Sequence, residues 1–282
     1  MVSVIIPCYN HGAFIQEAID SVKAQTYKDW EIIIVNDGSD DVETIEQLDR
    51  LKQKGFYVID ISNSGVSVAR NLAIAVAKGD FIMPLDADDK IAPRYLEEAL
   101  KVFQDKAEVK LVYSECEYFG SRTGISPVPT FTMDGMLFEN LIFNSALFKK
   151  SIAIQIGGYD ETFLEGWEDW EFYLRFIKDV TEVYKLPAIN YFYRIKQVSR
   201  NSLIKDRRRE ICEQQIYKKH IALFLKYNPK PISALTEYSF YKNEYTKLNS
   251  YRDKIHQSFS YRIGNFILKP LKLLKVIFKN GG

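Results

Sequence analysis

The sequence predicts an α/β fold in which a mostly parallel sheet is covered by helices on both faces. Three observations carry that prediction. Over the first hundred residues, short apolar runs alternate with segments of helical periodicity. The apolar runs are continuous rather than alternating, as expected of strands buried on both sides. The polar clusters stand at the carboxyl ends of those runs, where open parallel sheets bind ligands.

The elements follow in order. Val2 to Ile6 reads as a buried strand stopped by Pro7, and Ala13 to Gln25 as a helix with Phe14, Ala18, Ile19 and Val22 on one side. Trp30 to Val35 is a second apolar run, Asp41 to Leu51 a helix, and Gly55 to Ile61 a third strand. Val66 to Ala77 is an Ala- and Val-rich helix closed by Gly79. Phe81 to Leu85 is a fourth strand, and Pro93 to Phe103 a helix with Pro at its start. Beyond this the pattern loosens. Val109 to Tyr118 reads as a strand, Gly120 to Gly135 as a surface loop rich in Gly, Pro, Ser and Thr, and Trp167 to Phe176 as a helix. Ala188 to Tyr193 reads as a late strand, and Lys205 to about Leu225 as a long helix. No internal repeat is visible.

Composition narrows the function classes. At 282 residues and 46% apolar, the chain can bury a sizeable core in one large or two modest domains. A net charge of +1 argues against nucleic acid as the main partner. Cys8, Cys116 and Cys212 have no metal-ligand spacing, and so sparse a set fits a reducing compartment. With no signal peptide or bilayer-spanning run in view, a cytoplasmic protein is expected.

Four clusters converge on one site if the sheet is parallel. Pro7-Cys8-Tyr9-Asn10 follows strand one: Tyr9 can stack on a base, while Asn10 can simply cap the next helix. Asn36-Asp37-Gly38-Ser39-Asp40-Asp41 follows strand two. A turn and a cap explain one or two of these polar residues and leave Asp37, a carboxylate able to accept from a base N–H or a ribose hydroxyl. Asn63 to Asn71 contains Arg70, set in a helix of small apolar residues. It is either a surface arginine with a buried stem or a cation reaching a nucleotide or an acid. Asp86-Ala87-Asp88-Asp89 crowds three acids at the tip of strand four. Crowded carboxylates repel one another unless something cationic sits among them, and Mg²⁺ or Mn²⁺ takes one or two carboxylates together with phosphate oxygens. Farther on, Glu168 and Asp169 fall at a helix start, where acids are favoured by the helix dipole alone.

Five segments in this order, VSVIIPCYN, EIIIVNDGSDD, NSGVSVARNLAIAVAKGDFIMPLDADD, IGGYDETF and GWEDWEFYLR, resemble the inverting family 2 glycosyltransferases of bacterial type. The resemblance covers roughly residues 1–200. It implies the GT-A nucleotide-diphospho-sugar transferase fold, with a mostly parallel central sheet flanked by helices. A nucleotide-binding half would span 1–105 and an acceptor-side half 106–200, followed by a helical C-terminal region, 201–282. It implies that Pro7, Tyr9, Asp37, Asn63, Arg70 and Asp86 line the nucleotide pocket, with Asp86 and Asp88 as the DxD pair and Asp88 holding Mn²⁺ or Mg²⁺. Asp169 would be the general base and Glu168 its support or an acceptor contact. Relatives often carry a His shortly after the Arg that matches Arg194. Here Lys196 stands in its neighbourhood, and His11 and His220 offer no substitute spacing. The implied reaction moves a sugar from a nucleotide-diphosphate sugar, UDP-linked by preference, to a saccharide or lipid-linked acceptor in surface-glycan or polysaccharide synthesis. The alternative is a nucleotide-sugar binding subunit without catalysis.

The last 32 residues carry seven Lys or Arg against one acid, Asp253. Within Leu271 to Lys279 the lysines recur at helical spacing opposite Leu274 and Phe278. Basic on one face and apolar on the other is how an interfacial helix reads. Residues 254–279 are therefore expected to touch the inner face of the membrane or to pack on protein, including a second copy of the chain.

Overall fold

The computed structural model describes residues 1–196, 206–227, 243–244, 246–252 and 254. The chain divides into two compact units, Met1–Ile221 and Ala222–Gly282. The described residues of the second unit are helical. The amphipathic run expected at Leu271 to Lys279 lies outside the described residues, as does all of 255–282.

The first unit opens with β1 (Val2–Cys8), α1 (Gly12–Lys23), β2 (Trp30–Asp37), α2 (Val42–Gln53), β3 (Tyr57–Ile61), α3 (Val66–Val76) and β4 (Phe81–Pro84). It continues through β5 (Lys90–Ile91), α4 (Tyr95–Asp105), β6 (Leu111–Gly120), β7 (Gly124–Ser126), α5 (Met133–Phe138), β8 (Leu147–Lys149) and α6 (Lys150–Gln155). Then come α7 (Glu168–Phe176), one 3₁₀ turn at Val180–Glu182, β9 (Val183–Ile195) and the greater part of α8 (Asp206–Tyr227). The strands form one sheet in the order β3-β2-β1-β4-β8-β6-β9-β5, with β7 on β6.

The first four strands are parallel, as their continuous apolar runs predict. β1 is central, and Val2, Val4, Ile5 and Ile6 are wholly buried, each contributing about 1.5–3 kcal/mol relative to exposure. Small residues on α3, Ala69 and Ala73, are buried where that helix lies on the sheet. Pro7 does not stop β1; it pairs with Val35 of β2. The Ile5 carbonyl faces β4, where it accepts from the Leu85 N–H. The Pro7 nitrogen points to that same side, but pairing with β4 ends at Ile5. A residue without an N–H loses nothing there.

The second half of the sheet is mixed. β8 runs antiparallel to β4 and β6, β5 antiparallel to β9, while β6 and β9 are parallel. The late strand starts at Val183, five residues before the expected Ala188. Pro187 and Ala188 lie in a register shift, where Leu186 opposes Ser114 and Ile189 opposes Glu115. A bulge is where a strand accepts proline. The expected surface loop at 120–135 holds β7, which folds back on β6 as a hairpin, and the start of α5, capped by Thr132.

Candidate functional site

Every feature below lies beyond the carboxyl ends of β1 to β4 or on the elements facing them. A cavity of about 220 Å³ opens at the tips of β1, β2 and β3, lined by Tyr9, Asp37, residues 63–67, Glu161, Phe163 and Leu164. Asp37 forms its floor, 5% exposed. Its two oxygens accept backbone N–H groups from Ser64 at 2.7 Å and Gly65 at 3.0 Å. The carboxylate that capping left over therefore fixes the β3–α3 loop while facing the cavity. Gly38 makes this approach tolerable: its φ is +67°, and a Cβ there would sit 2.4 Å from the Asn63 nitrogen. Asn10 is not the helix cap expected of it. At φ 54° it reaches across to the β2–α2 loop, its side-chain oxygen accepting from the Asp40 and Asp41 N–H groups, both at 3.1 Å. The cap of α2 is Asp41, which accepts from Thr44 N–H at 2.9 Å. Ser67 Oγ is buried beside the cavity, with no hydrogen-bond partner among the described residues.

Arg70 is not a surface arginine. It is 2% exposed, and its two terminal nitrogens each donate at 2.9 Å, one to Glu168 Oε1 and the other to Asp86 Oδ1. The guanidinium also lies 5.2 Å from the Tyr159 ring centroid. Burial pushes its pKa down, but Asp86 and Glu168 together raise it above the ordinary value. This fork joins the tip of β4 to the start of α7, with Arg70 and Glu168 98 positions apart in sequence.

The three crowded acids go to three separate partners. Asp86 takes Arg70 and the Asn144 side-chain amide at 3.1 Å. Asp89 turns inward, 1% exposed, and anchors β9: it accepts from the Tyr191 hydroxyl and from the Arg194 N–H at 2.8 Å. Burial, then the charges of Asp88 and Asp86, push Asp89 well above the usual carboxylate range. Asp88 faces the site. Its Oδ2 lies 2.7 Å from Lys196 Nζ, and its Oδ1 lies 3.9 Å from His11 Nδ1. Lys196 Nζ is also 2.9 Å from His11 Nε2. Burial holds the His11 pKa below its ordinary value; Asp88 opposes this and Lys196 adds to it.

Among the described residues no group of three or more His, Cys, Asp or Glu converges as a ready metal centre. The donor chemistry nevertheless fits a divalent ion arriving with phosphate oxygens. A hard carboxylate and an imidazole converge on one point, and a cation, the Lys196 ammonium, stands there. Asp88 and His11 are the residues that would hold such an ion.

Asp169 lies in the first turn of α7, with Glu168 and Glu171. That helix is entered through Gly166 at φ 126° and Trp167 in the left-handed region at φ 65°, a strained arrangement for tryptophan. Asp169 is half-buried and accepts from Asn140 Nδ2 at 3.0 Å and from Trp170 N–H at 2.7 Å. Burial of its carboxyl, then the charge of Glu168, push its pKa up to about 7 against the pull of Arg70. Deeper in the same helix Glu171 is wholly buried among Arg175, Lys219 and His220. Burial would push Glu171 up, but hydrogen bonds from these three hold it at about 2. α7 is thus pinned behind the residues it presents.

The structure brings together Tyr9, Asp37 and Asn63 around the cavity, and Arg70, Asp86, Glu168 and Asp169 around the fork. Asp88 belongs to the rim with Lys196. Pro7 lies within β1, outside the cavity lining. Sequence reasoning missed Asn140, Asn144 and Ser67, which carry no motif signal. It also set His11 aside, although its place three residues past the end of β1 could have found it.

Comparisons with known proteins bear on this site. A family model described as "Glycosyl transferase family 2" matches residues 3–157. An uncharacterized protein, y4gI, of Sinorhizobium fredii is 29% identical over 69% of this chain, which spans only 22% of that protein. The uncharacterized glycosyltransferase YwdF of Bacillus subtilis is 29% identical, with 71% of this chain and 76% of YwdF covered. Among solved structures, S. aureus TarS 1–349 in complex with UDP superposes with a TM-score of 0.58 at 20% identity, covering 69% of this chain and 60% of that one. A mannosyltransferase of Pyrobaculum calidifontis, PcManGT, in complex with GDP-Man and Mn²⁺ superposes with a TM-score of 0.61 at 17% identity, covering 98% and 86%.

Proposed function

The chain belongs to glycosyl transferase family 2, with the GT-A fold and the glycosyltransferase class of activity that family carries, and we propose the finer reaction as follows. It transfers a sugar from a nucleotide-diphosphate sugar, UDP-linked, to a hydroxyl of a saccharide or lipid-linked acceptor, with inversion and with Mn²⁺ or Mg²⁺. The product enters a surface glycan or polysaccharide. The GT-A portion is residues 1–200, the nucleotide-binding half being 1–105.

The observation that carries this reading is the Arg70 fork. It unites the donor-side acid Asp86 with Glu168, the neighbour of Asp169. Tyr9 and Asp37, with Asn63 and the free hydroxyl of Ser67, offer stacking and polar contacts to a base and ribose in the cavity. Asp169 takes the proton of the acceptor hydroxyl as its oxygen attacks the anomeric carbon; the bond from that carbon to the diphosphate oxygen breaks, and the nucleoside diphosphate leaves. A base with a pKa of about 7 suits this step, being both ionised and basic near neutrality. When bound at Asp88 and His11, a divalent ion supplies positive charge to the leaving diphosphate. The basic stretch 254–279 brings the enzyme to an anionic membrane face.

A panel of nucleotide sugars with Mn²⁺, scored by thermal shift and by nucleotide release, with and without anionic liposomes, tests this reading. At least one UDP-sugar raises the melting temperature and releases UDP, and the protein co-sediments with the liposomes. No shift and no release across UDP, GDP and dTDP donors would end the donor assignment. Protein left in the supernatant would end the membrane one.

A further inference from the structure

Resting on the donor-site reading above, we propose that the Lys196 ammonium is the resident counter-ion of the metal position: it keeps free divalent ions off Asp88 and His11, and passes to the diphosphate when a donor enters. An ammonium has three N–H donors and no acceptor. At 2.9 Å from His11 Nε2 it must donate, so Nε2 is the accepting nitrogen and the imidazole proton sits on Nδ1. That Nδ1 faces Asp88 Oδ1 at 3.9 Å, while Asp88 Oδ2 is held by Lys196 at 2.7 Å. Both protein groups that would ligate a metal are therefore engaged by Lys196: one carboxylate oxygen in an ion pair, the imidazole lone pair in a hydrogen bond. A divalent ion bound there would meet an ammonium at close range, and like charges on one carboxylate exclude each other.

Lys196 is also the basic residue at this rim that is free to leave. Its neighbour Arg194 is committed to the scaffold: it donates to the Asp88 carbonyl at 2.8 Å, pairs with Glu17 at 2.8 Å, and packs 4.7 Å from the Phe14 ring centroid and 4.3 Å from that of Phe119. Lys196 is 24% exposed, follows the end of β9, and carries a flexible stem ending in a point charge that phosphate oxygens compete for. A diphosphate that draws the ammonium away frees Asp88 and His11. Metal and diphosphate then favour each other's binding, and that coupling is reciprocal.

The experiment is calorimetric titration of the full chain with MnCl₂ alone, and with pyrophosphate or UDP in metal-free buffer. Lys196→Met should raise the affinity for Mn²⁺ alone about tenfold or more, and lower the metal-free affinity for pyrophosphate and UDP by a similar factor, as removing one neighbouring charge requires. Lys196→Arg should stay near wild type, and the Lys196→Met/His11→Ala double variant should lose the gained Mn²⁺ affinity. Thermal melts report whether Lys196→Met is folded, and Lys196→Gln serves in its place if it is not. Unchanged Mn²⁺ affinity in the folded neutral variant overturns the counter-ion role. Unchanged pyrophosphate and UDP affinity overturns the hand-over. Wild-type protein that binds neither UDP nor GDP in any condition instead strikes the donor reading.

Discussion

Two cations in this molecule pair with neighbouring acids of a single motif, and they are built for opposite purposes. Arg70 is buried, and its planar fork spends one nitrogen on Asp86 and another on Glu168. Lys196 lies at the rim and shares one point charge between Asp88 and an imidazole. A guanidinium clamped from two elements cannot leave without breaking two ion pairs at once, whereas an ammonium on a long stem breaks one. The first cation positions the site; the second can be exchanged. The same two residues apart in sequence, Asp86 and Asp88, thus serve a fixed and an exchangeable contact.

The comparison breaks most visibly at Arg70. Arg70→Met should destabilise the fold by about 3–5 kcal/mol, because it breaks a buried ion pair by removing one partner, and should abolish transfer. A chemical denaturation midpoint close to wild type would show that the fork is not structural. Arg70→Lys should rescue little, since one ammonium cannot span both acids. That would contrast with the interchangeability expected of Lys and Arg at 196.

A smaller effect sharpens the role of Glu168. Asp169 must be ionised to accept a proton, so kcat/KM should fall as pH drops through about 7. The charge of Glu168 raises that pKa and Arg70 lowers it. Glu168→Gln removes the first and leaves Arg70 to act on Asp169, so the acid limb should move to lower pH. A limb that stays in place would mean that another group sets it.

How much of this was legible in the sequence differs between the two halves for a physical reason. β1 to β4 are local βαβ units, so each apolar run and each helical stripe carries its own signal, and the polar residues at the tips declare the site. β5 and β8 are two and three residues long and exist through pairing with distant strands, and β7 is three residues folded back on β6. The first five residues of β9 hid behind Pro187 because a bulge opposite Ser114 tolerates it. Asp86, Asp88 and Arg70 stood out by density or by an unexpected setting. Asn140 and Asn144 did not, since the contacts with Asp169 and Asp86 are made by chain closure across 29 and 58 positions. Asp37 stood out as the acid that capping left over, but its grip on the loop at Ser64 and Gly65 is a tertiary fact. His11, set aside on spacing, shows the limit of that reading: it meets Lys196 from 185 residues away.

The most direct test of the whole account is Asp169→Asn, assayed side by side for nucleotide release and for donor binding by titration. The expected result is a rate lower by about 10²–10⁴-fold with donor affinity within a few-fold of wild type, the signature of a lost positioned base. Donor affinity falling in step with rate, or a rate left intact, would contradict it.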